Sequence, residues 1–171
     1  MSNTTGSKSA EILAWLAVAL LIVLSVWGFL KHGLSLDTQK RLWRDVFERP
    51  GGPMTFRFIL QPTMAFLAAL HDGIKDARMG RPLYSWSLLT SREGRGERLH
   101  EGFLATARII LLALGMDAIY QIKVLDTFYP GEMVVVALLL AFLPYVLLRG
   151  PISRIARRWF AREHPTPSAK R

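Results

Sequence analysis

The chain has 171 residues, no cysteine, 51% hydrophobic residues and a formal charge of +9, with a mean hydropathy of +0.24. So apolar a composition excludes a disordered chain, and the missing cysteines exclude a disulfide scaffold and thiolate-held metal. The length allows one compact unit.

Residues 12–30 carry no charge, and about 20 such residues cross a bilayer's hydrocarbon core. Trp15 and Trp27 stand toward its ends, where indole rings favour the membrane–water boundary. The run is long for a signal-peptide core, and the Trp27-Gly28-Phe29-Leu30-Lys31 that ends it lacks a small-residue cleavage pattern. Residues 1–30 therefore read as a tail and a retained anchor. Residues 31–53 read as an amphipathic linker: over 37–49, Leu42, Trp43, Val46 and Phe47 oppose Lys40, Arg41 and Arg44, before the breaker Pro50-Gly51-Gly52-Pro53.

Residues 54–102 hold a weaker apolar segment, 56–74, interrupted by Gln61-Pro62-Thr63. Its short apolar run suggests a half-inserted, re-entrant or interfacial helix starting near Pro62, which suits a first helical turn. Ala65, Ala69, Gly73 and Ala77 recur every four residues and form a helix-packing face. A basic loop follows, and its stretch 91–96 reads as flexible.

Residues 103–148 read as a transmembrane hairpin. Its spans are 103–125 and 133–148, joined by Asp126-Thr127-Phe128-Tyr129-Pro130-Gly131-Glu132. Asp117 shares a helix face with Tyr120 and Gln121 and falls about 18 Å down from Tyr129, near mid-membrane. An acid at that depth signals a buried hydrogen bond, an ion or proton path, or a basic partner on another subunit. Residues 149–171 form a basic amphipathic tail. Ile152, Ile155, Ala156, Trp159 and Phe160 take one face, and 164–171 should fray. Arg154, Arg157, Arg158 and Arg162, with Arg78 and Arg81 upstream, are the candidate contacts to lipid phosphate, each basic residue contributing about 1 kcal/mol at an anionic leaflet.

Lys and Arg flank the hairpin base far more than its tip, which places the base and the C-terminus in the cytoplasm. The same rule places the N-terminus outside, because Lys31, Lys40, Arg41, Arg44 and Arg49 follow the first span. The expectation is an all-α membrane protein with three transmembrane helices, a half-inserted helix and interfacial amphipathic helices.

Two resemblances follow. Asp72-Gly73 with Asp76-Ala77-Arg78 resembles the Asp-Gly-x-x-Ala-Arg signature of CDP-alcohol phosphotransferases. One extra residue separates its halves, and the family's second acidic pair is absent. Phe56-Arg57-Phe58-Ile59-Leu60-Gln61-Pro62, Asp72-Gly73-Ile74-Lys75-Asp76-Ala77-Arg78-Met79-Gly80-Arg81-Pro82, Phe128-Tyr129-Pro130-Gly131-Glu132 and Arg149-Gly150-Pro151 resemble a family of small uncharacterised proteobacterial inner-membrane proteins. That likeness implies a bacterial inner membrane and no particular activity.

No catalytic template, metal motif or cofactor fingerprint is present, and no histidine lies in an expected span. Nucleic acid is not an expected partner, since the basic residues adjoin spans. The expected role is a non-enzymatic accessory or scaffolding subunit. It would contact anionic lipid and either partner subunits or further copies of itself. The alternatives are an oligomeric ion or proton conductor using Asp117 and, less favoured, a lipid-headgroup enzyme using Asp72, Asp76 and Arg78.

Overall fold

A computed structural model describes residues 3–33, 40, 43, 44, 54–84, 86 and 95–163. The linker helix expected over 37–49, the loop at 91–94 and the tail beyond Glu163 lie outside the described residues.

The described residues are helical, without strands. Helix α1 is Asn3–His32 and α2 is Arg57–Arg78. Helix α3, Arg95–Tyr120, ends in a π-helical turn at Gln121–Leu125. Helix α4, Pro130–Ala137, passes through a π-helical segment at Leu138–Phe142 into α5, Leu143–Glu163. Three stretches, Lys8–His32, Arg95–Leu125 and Pro130–Arg162, are long and apolar enough to cross a membrane. The protein is thus membrane-associated and multi-pass.

Proline explains the wide turn between α4 and α5. Pro144 supplies no N–H and crowds the carbonyl four residues earlier; the π-helical turn immediately before it absorbs that mismatch without breaking the rod. The tail is therefore no separate helix: α5 continues through Pro151 to Glu163. At the hairpin tip the π turn ends at Asp126, whose φ of 47° reverses the chain.

Side-chain contacts give each helix its direction. Phe103 stacks on Phe142 at 4.8 Å and Gln121 bonds to Tyr129, so α3 and α4–α5 are antiparallel. Ala14, Trp15 and Val18 share a groove with His100 and Phe103 at the hairpin base. Trp27 meets Phe128 at 5.3 Å, His32 meets Tyr129 at 5.0 Å, and a Cβ on Gly28 would overlap Gly131 at the tip. Helix α1 therefore runs parallel to α3, from base to tip. The described chain thus starts and ends at the same end of the bundle, where the sequence suggested that α1 and α3 run in opposite directions.

Helix α2 begins at Arg57, five residues before the expected start at Pro62. It runs the other way, with Arg57 against Asp117 near the tip and Asp76 against Arg149 near the base. Helix α2 therefore touches the hairpin at two levels, through charged groups near its two ends. The four-residue stripe packs inside the chain. Ala65 and Ala69 are fully buried, Ala77 is buried, and a Cβ on Gly73 would meet Ile152 and the Arg149 carbonyl at 2.8 and 3.0 Å.

Because the chain has no cysteine, introduced pairs report this arrangement cleanly. Trp27→Cys with Phe128→Cys should be joined by a short bifunctional thiol cross-linker, while Trp15→Cys with Phe128→Cys should not. The converse pattern on non-reducing gels would reverse α1.

Candidate functional site

Two buried polar clusters stand at the two ends of α2. The tip cluster centres on Asp117, which is 0% exposed. Arg57 Nη1 donates to its Oδ1 at 2.8 Å, and Gln121 Nε2 donates to its Oδ2 at 2.9 Å. Gln121 also donates to the Tyr129 carbonyl and accepts from the Tyr129 N–H at 2.7 Å, so one side chain fastens the tip of the hairpin to the acid. The Arg57 guanidinium lies 4.4 Å from the Tyr120 ring centroid. A delocalised cation gains both from a carboxylate and from an aromatic face when water is excluded. Gln61, one turn further along α2, is fully buried and points its amide nitrogen at Met116 Sδ, 3.7 Å away.

Because Gln121 is tied to Tyr129, the chain returns from the tip to within about one helical turn, some 6 Å, of the level of the acid. Its basic partner comes from its own chain.

The base cluster balances three acids, Asp72, Asp76 and Glu101, against Arg81, Arg98 and Arg149. Arg149, 1% exposed, donates from Nε to Asp76 Oδ2 at 2.8 Å and from Nη1 to the Tyr145 hydroxyl at 2.6 Å. Tyr145 in turn donates to Asp72 Oδ2 at 2.7 Å. Glu101 receives Arg149, Arg81 and Arg98 at 3.2, 3.1 and 3.3 Å. Tyr84 covers the cluster: its ring lies 4.2 Å from the Arg149 guanidinium, and its hydroxyl donates to the Arg98 carbonyl at 2.6 Å. Burial pushes the Tyr84 hydroxyl up to about 12, with Arg149 opposing the rise.

Asp72 and Asp76 both turn inward, because Arg149 and Tyr145 lie four residues apart on α5 and meet the same α2 spacing. Arg78 faces the other way, 5.5 Å from the Phe160 ring. Among the described residues no group of three or more His, Asp or Glu could hold a metal ion. Of the other candidate lipid contacts, Arg154, Arg158 and Arg162 are exposed; Arg81, which pairs with Glu101, and Arg157 are partly covered. Ile155 and Trp159, 67% and 60% exposed, project from the same helix as this basic group.

The sequence reading missed Arg57, although a signal existed. The four-residue repeat runs back from Ala65 through Gln61 to Arg57, and all three are buried. Between the clusters, Ala65, Ala69, Ala107, Ile110, Ala113, Ala137 and Ala141 fill the bundle, each at most 1% exposed.

These features define a helical, multi-pass membrane protein with paired charges sealed inside it. No protein-family model, curated protein or solved structure matches the chain.

Breaking a buried pair by removing one partner costs about 3–5 kcal/mol, whereas removing both costs less. Arg57→Leu and Asp117→Leu should each lower the unfolding free energy in detergent by about that amount, and the double variant should be more stable than either. Additive losses would show that the two groups are not coupled. The raised Tyr84 value stabilises the fold below pH 10; that contribution should fade from about pH 10 to pH 12, as the unfolded hydroxyl ionises first. Tyr84→Phe should flatten the stability profile over this interval.

Proposed function

We propose that this chain is a non-enzymatic accessory or scaffolding subunit of a larger bacterial inner-membrane assembly. The supporting observation is that the carboxylates at the two ends of α2 are each held by a group of the same chain. Asp117 is held by Arg57, Asp76 by Arg149 and Asp72 by Tyr145. A catalytic or conducting carboxylate must reach substrate, metal or water, and these reach protein cations and a hydroxyl instead. The apolar packing between the clusters also argues against a proton or ion path through one copy. What remains available is the outside of the bundle: apolar helix faces, and the basic end of α5 for anionic headgroups.

In this reading α2 is a fourth crossing. Its charges, paired inside the bundle, conceal it from a hydropathy scan. The base faces the cytoplasm with both ends of the described chain, since Lys75, Arg78, Arg81, Arg95, Arg98, Arg154, Arg157, Arg158 and Arg162 gather there. The basic residues between α1 and α2 then lie outside. The orientation rule is a bias, and the larger basic group at the base outweighs them.

Two measurements test these proposals. Affinity isolation in mild detergent followed by mass spectrometry should return the same membrane-protein partners in repeated preparations; repeated recovery of this chain alone would overturn the subunit reading. In intact cells, an impermeant thiol reagent should label Lys31→Cys and Asp126→Cys but neither Lys8→Cys nor Gly96→Cys. Labelling of Lys8→Cys without Lys31→Cys would restore the three-span topology.

A further inference from the structure

Arg108, within the membrane-length stretch of α3, stands outside this charge pairing. It is exposed on α3, seven residues beyond Glu101 and nine before Asp117, or about 10 Å and 13 Å along the axis. Among the described residues it makes no ion pair, hydrogen bond or ring contact. Leu112, Gly115, Ile119 and Ile122 share its face and are all exposed. A Cβ on Gly115 would meet nothing within 4 Å, so the apolar face is open there. Glu101 lies at the foot of this face and carries Arg81, which is 42% exposed.

We propose that this face binds one anionic phospholipid, its phosphate held between Arg108 and Arg81 and an acyl chain lying along Leu112, Gly115 and Ile119. Helix direction supports the choice. Side chains tilt toward a helix's N-terminus, which for α3 is the base. The long Arg108 stem therefore carries its guanidinium down toward the headgroup level. A second copy of the chain fits less well because, of the exposed carboxylates among the described residues, Glu97 and Asp126 lie at the two ends of α3 and Glu11 lies toward the base on α1, and none lies at the depth of Arg108. The proposal rests on α3 crossing the membrane, which the labelling experiment tests independently.

Native mass spectrometry of the whole protein, titrated with phosphatidylglycerol or phosphatidylcholine, tests it. The wild type should retain phosphatidylglycerol preferentially. Arg108→Gln should bind it about fivefold more weakly, one basic contact's worth at an anionic surface, while Arg108→Lys keeps most of the preference. Millimolar inorganic phosphate should not displace the lipid. Equal retention of the two lipids by the wild type would overturn the proposal whatever the variants do. So would unchanged binding by Arg108→Gln, or displacement by phosphate, which would indicate a free-anion site. A change in oligomeric state of Arg108→Gln with lipid retention intact would assign the face to a second copy instead.

Discussion

A guanidinium or a carboxylate leaves water for the interior of a membrane protein only in company. That constraint organises this bundle. Helix α2 has charges at both ends and a modest apolar centre, so it is a poor membrane segment alone. Arg57 finds Asp117 at the tip, and Asp76 finds Arg149 at the base. Each pair is desolvated by the helices that supply it, and each is extended by a neutral group: Gln121 donates to Asp117, and Tyr145 accepts from Arg149 and donates to Asp72. The two contacts lie 19 residues apart on α2, about 28 Å, and they hold it alongside the hairpin between these two levels.

Between the pairs, close approach does the work. Lipid tails give helices no hydrophobic reason to associate, so contact area and backbone proximity must supply it. The stripe from Ala65 to Ala77 lets α2 approach α5 until Gly73 has no room for a side chain. Gly28 and Gly131 do the same where α1 crosses the start of α4. The π-helical segment at Leu138–Phe142 accommodates Pro144 while α5 keeps Tyr145 and Arg149 aimed at Asp72 and Asp76.

The three apolar spans were legible because a mostly apolar stretch of roughly a bilayer's width has few other uses, even where Arg108 and Asp117 interrupt the second. The small-residue stripe was legible for a similar reason, since its four-residue period survives in any helix. The direction of α1 was not. The orientation rule counts Lys and Arg, whereas the structure sets α1 through Trp27, Gly28 and His32 against Phe128, Gly131 and Tyr129, contacts that no local pattern announces. The pairing of Arg57 with Asp117 joins residues 60 positions apart and depends on tertiary packing. Read alone, each charge appears as an interruption; read together they complete one another.

The account turns on α2 standing alongside α3 from tip to base. Spin labels at Thr55 and Asp126, and in a second sample at Thr55 and Gly96, would measure this by pulsed dipolar spectroscopy in lipid nanodiscs. Arg57 is level with Asp117, which lies 21 residues from Gly96, so the second distance should be about 30 Å, and the first clearly shorter. Two similar distances, or a Thr55 label nearer to Gly96 than to Asp126, would lay α2 on the membrane surface and contradict the account.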